Sequence, residues 1–144
     1  MANQSIPMNT FGFKVKVGDE ELGLFQEVSG LSVQLNVTDL KEGGVNNTTH
    51  KLIDGVSFSN VTLKRGLCSA GSMFGWIAKA INGDVPERRT VTITLLGDDG
   101  KPVKTFTLQN ALPVKWDGPS LNVMQDSIAT ESLELAHEKL TIGQ

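Results

Sequence analysis

Residues 61–81 read VTLKRGLCSAGSMFGWIAKAI, and the fold turns on the change of pattern inside this stretch. Val61 to Lys64 is an extended, β-branched run that stops at Lys64-Arg65-Gly66. Shortly after, Met73, Trp76, Ile77 and Ala80 fall at i, i+3, i+4 and i+7, one apolar face of a helix that Phe74 and Ile81 widen. Ser69 or Ser72 suits the cap, because either hydroxyl accepts from the free N–H groups of a first turn. Gly83 fits a left-handed termination and Pro86 cannot continue the helix. The spacing predicts a helix over about 69–82, and nothing else in the chain predicts one as clearly.

The rest of the sequence is punctuated as strands. Phe11 to Val17 (FGFKVKV) alternates without a miss, the period-2 signature of a half-buried strand, and Gly18-Asp19-Glu20-Glu21 makes a turn. Leu22 to Val28 is a second extended run, interrupted at Ser29-Gly30, and Val33, Leu35 and Val37 alternate again. KEGGVNNTTHK, from Lys41 to Lys51, has paired glycines, paired asparagines and no apolar period, so it reads as a long exposed loop or an extended hairpin. Beyond the helix, Val91, Ile93 and Leu95 alternate with threonines, GDDG at Gly97 to Gly100 supplies a hairpin turn, and Val103 to Leu108 returns. Pro113 and Pro119 make NALPVKWDGPS look irregular or edge-like. Ser127 to Leu140 is open between strand and helix, since Leu133 and Leu135 favour the first and Ala129, Glu131, Glu134 and Glu138 tolerate the second. The expected class is mainly β, an antiparallel barrel or sandwich with one flanking helix.

Composition sets bounds on function. The 144 residues suit one domain, with residues 1–10 as a flexible arm, and 39% apolar with 20% charged residues describes a chain that folds. A net charge of −3 argues against general nucleic-acid binding, which rests on clustered Lys and Arg. The single cysteine, Cys68, excludes an internal disulfide. MANQSIPMNT lacks the basic start and apolar core of a signal peptide, and no apolar run approaches the ~20 residues that cross a bilayer. Synthesis and retention in the cytosol unless a machine exports the chain, with no membrane anchoring by this chain, is the expectation.

The chemistry-bearing residues do not assemble into a motif. His50 and His137 sit in unrelated contexts with no second ligand at a metal spacing. Cys68 near Lys64 and Arg65 has the setting of a lowered thiol pKa, but a small buried cysteine at a helix start explains it better. Lys64-Arg65-Gly66 ahead of a helix N-terminus invites a phosphate, yet no glycine pattern of a phosphate loop surrounds it. No catalytic, cofactor or metal residue is assigned, and an enzyme is not expected. A strand-rich chain with a long polar loop points to assembly, because Thr and Asn at an unpaired edge suit pairing with another chain.

In order, FKVKV, FQEVSGLSV, the Gly-Gly loop after Glu42, VTLKRGL before the helix with Trp76, VTITLLGDDGKPVKTFTLQNALPVKW and DSIATESLELAHEKL resemble the tail-tube proteins of contractile phage tails and contractile injection systems. The similarity runs from about Phe11 to Ile142. It implies hexameric rings stacked into a hollow tube inside a contractile sheath, with a baseplate, spike and cap as further partners and DNA or protein as cargo. It also implies that the 41–51 loop makes contacts between subunits, which places Lys41, Glu42, Asn46, Asn47, Thr48 and Thr49 at an interface. Lys64 and Arg65 then become candidates for salt bridges to a neighbouring subunit or ring, or else solvated turn charges. The same fold recurs in type VI secretion tubes, so that machine is the alternative, and a monomeric ligand-binding β-barrel is the rival from another class.

Overall fold

The computed structural model describes residues 12–41, 49–66, 73–124 and 129–143. Ten strands and one helix follow in the order β1 (Gly12–Val17), β2 (Glu20–Phe25), β3 (Glu27–Ser29), β4 (Val33–Lys41), β5 (Thr49–Phe58), β6 (Val61–Gly66), α1 (Phe74–Ile81), β7 (Arg89–Leu96), β8 (Pro102–Asp117), β9 (Thr130–Ala136) and β10 (Lys139–Gly143). All pairings are antiparallel.

Two sheets share two bent corners. The first has the order β2-β1-β7-β8, with β10 on the far edge of β8. The second runs β8-β9-β6-β3. β8 belongs to both because it bends at Asn110, the one described residue other than glycine with positive φ, at 54°. There Gln109 and Asn110 together oppose the single residue Thr90, a bulge that turns the strand. Asparagine is among the residues that tolerate this left-handed conformation, and its side-chain N–H also donates to Glu138 Oε2 at 2.8 Å. The second corner is Gln26, where the chain leaves β1 for β6; its N–H donates to the Lys64 carbonyl at 2.9 Å. The order of strands therefore begins and ends on one run, Glu20–Ser29, giving a barrel-like sandwich without a continuous closing ladder among the described residues.

Alternation fills the interior. Val15 and Val17, Val61 and Leu63, Val91 and Ile93, Leu133 and Leu135 all point inward and are buried. α1 closes one side through Trp76, whose indole N–H donates to the Glu87 carbonyl at 2.8 Å, and through Phe74, edge-on to Trp116 at 5.0 Å. Its C-terminus is a Schellman motif: Gly83 at φ 89° donates to Ala80 O and Asp84 N–H to Lys79 O.

The expected elements appear, with differences at the helix start, at Pro113 and in the C-terminal segment, besides those in the β4–β5 ribbon and at Arg65. The helix starts at Phe74, preceded by Met73 with no side-chain cap, while Ser69 and Ser72 lie outside the described residues. Pro113 does not break β8, because it sits at a register shift against β9 where a missing N–H is tolerated. The ambiguous C-terminal segment is two strands, β9 and β10, since β9 fills a central slot between β6 and β8 that only an extended chain can pair.

Candidate assembly interface

β4 and β5 form a two-stranded sheet of their own, pairing with no other strand among the described residues. An isolated ribbon of this kind is marginal in water unless something packs on it. Its register sorts the side chains. Val33 faces Phe58, Leu35 faces Val56, and Val37 faces Ile53, because Asp54 is bulged out between Gly55 and Ile53. Cross-strand partners share a face, so one side of the ribbon carries Val33, Leu35, Val37, Ile53, Val56 and Phe58. The opposite side carries Gln34, Asn36, Thr38 and Ser57, with Leu40 and Leu52 toward the tip. Past Val37 and Ile53 the apolar face ends at an ion pair, Lys51 Nζ to Asp39 Oδ1 at 2.9 Å. The apolar face is uncovered: Leu35 is 51% exposed and Ile53 67%.

The ribbon's aim is fixed at its root. The chain passes from β3 to β4 at Gly30 and from β5 to β6 at Asn60, and the two passages touch. A Cβ on Gly30 would lie 2.1 Å from the Asn60 carbonyl oxygen, and φ there is 89°, so only glycine fits. Ser32 Oγ and Ser59 Oγ hydrogen-bond at 2.7 Å, His137 Nε2 meets the Ser59 carbonyl at 3.1 Å, and Asn60 Nδ2 donates to Glu134 Oε2 at 3.1 Å. The ribbon is thus tied to the sandwich through the β9–β10 corner.

Of the residues assigned to the interface from sequence, Lys41 and Thr49 are the last described pair of the ribbon, directly opposed. Of the stretch read as a long exposed loop or an extended hairpin, Lys41 and Thr49 to Lys51 are strand, and Glu42, Asn46, Asn47 and Thr48 lie outside the described residues. Lys64 faces outward on β6, between Glu27 of β3 and Ser132 of β9. Arg65 is elsewhere than its expected exposed turn. β6 continues through Gly66, so strict alternation sends Arg65 inward, where it is 2% exposed. Its Nε donates to Glu131 Oε1 at 2.9 Å, its guanidinium lies 5.1 Å from the Phe25 ring centre, and its Nη1 donates to the Leu22 carbonyl. Leu22 is the bulged residue of β2, left out of the β1 ladder, so Arg65 supplies a donor to a carbonyl at the bulge. Arg65 is engaged within its own chain and is not available to another.

The candidate surface that sequence reasoning missed is the apolar side of the ribbon. Val33, Leu35 and Val37 alternate visibly, but alternation alone does not say whether a face is covered by its own chain. Elsewhere the outward faces are mostly polar, with Thr92, Thr94, Thr105 and Thr107 beside the exposed Leu24 on the first sheet and Thr62, Lys64, Ser132 and Glu134 on the second. Among the described residues no cluster of three metal-ligating side chains occurs, and no helix is long and apolar enough to cross a membrane.

A family model described as T4-like virus tail tube protein gp19 matches residues 9–141. Among solved structures, the chain is similar to the tube-terminating cap of the anti-feeding prophage, at 26% identity over 99% of this chain and 94% of that one, with a TM-score of 0.83. It is similar to the sheath/tube terminator of an extracellular contractile injection system, PVC in its extended state, at 27% identity over 99% and 100% of the two chains and a TM-score of 0.83. Hcp1 from Flavobacterium johnsoniae shares the fold alone, at 13% identity over 92% and 95% and a TM-score of 0.58. A search of curated protein sequences returned no match. Fold and surface together define a structural subunit of a contractile-injection tube. The chain belongs to the T4-like tail tube protein family.

Proposed function

We propose that this protein is the inner-tube subunit of a contractile tail or injection particle, in which hexameric rings stack into a hollow conduit. The observation that carries the reading is the ribbon β4–β5, whose apolar face the single chain leaves open. Burying a whole aliphatic side chain contributes about 1.5–3 kcal/mol, so covering side chains already half buried contributes about 1 kcal/mol each. A copy of the same chain supplies that cover in a ring, where one patch meets a different patch on the next subunit. The tip and its neighbours, Lys41 to Lys51, then reach across a subunit boundary, and Lys64 stands on an outward face able to meet an acidic partner.

The protein turns nothing over in this role. Made in the bacterial cytoplasm, it is built into a particle with a contractile sheath around it, a baseplate and spike at one end and a cap at the other. Sheath contraction drives the tube through a target envelope with DNA or protein inside. Similarity at 26–27% identity to parts of extracellular injection systems, against 13% to Hcp1, favours such a particle over a type VI tube. Negative-stain microscopy of the concentrated protein tests the reading. Rings or tubes are expected; a monomer at every concentration, with and without baseplate partners, removes it.

A further inference from the structure

The two outer faces of the sandwich carry unlike charge. On the first sheet the register lays straight rows across neighbouring strands, since cross-strand partners share a face. Lys16 stands opposite Thr92, Thr92 opposite Thr107 and Thr107 opposite Thr141. In the next row Lys14 stands opposite Thr94, and Thr94 opposite Thr105. Lys139, two residues before Thr141, joins the same face opposite Gln109. Glu21 is the acid of these rows, and Lys14 holds its carboxylate at 2.8 Å. Lys16 and Lys139 are exposed, and no ion pair reaches either among the described residues. A chain of net charge −3 thus presents here a hydroxyl-paved surface with two free cations. The outer face of the second sheet leans the other way, with Glu27, Glu134 and Asp117 against Lys64 and Lys115.

The ribbon tells the two faces apart. β3 runs on into β4 and β5 into β6, so the ribbon continues the β3–β6 pair of the second sheet. The surface that copies cover in the tube reading is therefore an extension of the second sheet, and the first sheet is the opposite layer. The two sides of a tube wall have opposite needs. A bore that passes cargo must not hold it, whereas a sheath must be held until it contracts and then let go. Free lysines on a threonine surface suit the second task, because exposed ion pairs are individually weak and act together only when many are engaged. Leu24, beside Lys14, is the exposed apolar residue of these rows, so little apolar contact has to be broken on release. Nucleic acid fits the face poorly: phosphate binding rests on clustered Lys and Arg, and Lys16 and Lys139 have β7 and β8 between them.

We propose that this lysine and threonine face of the first sheet is the outer surface of the tube, and that it is held by Asp and Glu side chains on an acidic face of the sheath protein. The inference rests on the tube reading, because only an assembled tube has an outside.

The first test places a cysteine on the face, Lys16→Cys in a Cys68→Ser background, and treats tubes with a maleimide carried on polyethylene glycol too bulky to enter the bore. Labelling of bare tubes and protection in sheathed ones are expected. Bare tubes that react with a small maleimide but not the bulky one put the face in the bore, and equal labelling with and without sheath leaves it uncovered; either result overturns the contact. The second test compares two variants of equal net charge for loading of sheath protein onto preformed tubes. Lys16→Gln with Lys139→Gln is expected to form tubes as before and to lower sheath loading by about tenfold or more, as is added salt on the unsubstituted protein. Thr62→Glu with Ser132→Glu, on the second sheet, is expected to leave loading within about twofold. Loading that survives the lysine changes, or falls equally in both variants, overturns the contact and leaves the tube reading standing, as does a failure of the lysine variant alone to form tubes. Unsubstituted protein that never assembles overturns both.

Discussion

Replacing Glu131 by alanine should destabilise the subunit severely, and the size of the loss follows from what Arg65 is left with. In the intact protein the guanidinium is 2% exposed and held by Glu131 at 2.9 Å, the Leu22 carbonyl and the face of Phe25. Removing one partner of a buried pair costs about 3–5 kcal/mol, mostly because the remaining charge is desolvated without compensation. A domain of this kind has about 5–15 kcal/mol in total, so Glu131→Ala should lower the melting temperature by roughly 10–15 °C. Lys64→Ala, one residue from Arg65 but on the outward face, should change stability by no more than about 0.5 kcal/mol. The double change Arg65→Met with Glu131→Leu removes both charges and should recover most of the loss. It should still fall about 1–3 kcal/mol short, because the Leu22 carbonyl at the β2 bulge loses its donor. The assay is urea unfolding at constant slope, in a background carrying Ile53→Asp so that assembly does not add to apparent stability. A loss below about 1 kcal/mol for Glu131→Ala, or equal effects of Lys64→Ala and Glu131→Ala, would refute the assignment of Arg65 to the interior.

Three further outcomes test other parts of the structure. Ile53→Asp should stop rings and tubes from forming while leaving the melting temperature within about 2 °C, because the side chain is already exposed in the subunit; sedimentation velocity and calorimetry read the two effects separately. Gly30→Ala should cost more than about 2 kcal/mol, since left-handed backbone strain of about 1–2 kcal/mol adds to a Cβ placed 2.1 Å from the Asn60 oxygen; the surviving folded fraction should assemble poorly because the ribbon is mis-aimed, and light scattering would show normal assembly if that is wrong. Asn110→Ala should cost about 2–3 kcal/mol, from the positive φ and the lost bond to Glu138, whereas Asn110→Gly should recover the backbone part in chemical denaturation.

The strands were legible wherever local chemistry decides them. FKVKV alternates cleanly, GDDG is a turn in any context, and Gly83 ends α1 as its position suggests. What the sequence hides depends on contacts between residues far apart in the chain. Pro113 looks irregular or edge-like until the bulge of β8 at Val114 against β9 is known, and β9 looks half helical until its place between β6 and β8 is known. Arg65 shows the limit most clearly: Lys64-Arg65-Gly66 resembles exposed punctuation, and only Glu131, 66 residues away, and the bulge at Leu22 explain an arginine in the interior. On the ribbon, the alternation of Val33, Leu35 and Val37 was visible, but the uncovered apolar face was not. Leu52 and Ile53 look like consecutive core residues, and only the bulge at Asp54 aligns Ile53 with Val37 and turns Leu52 to the other side.

A helical reconstruction of the assembled particle tests the central claim most directly. It should show Val33, Leu35, Val37, Ile53 and Val56 of each copy buried against an adjacent copy, with Arg65 still inside its own subunit. A tube in which this ribbon stands in solvent, with subunits joined only through other surfaces, would contradict the account.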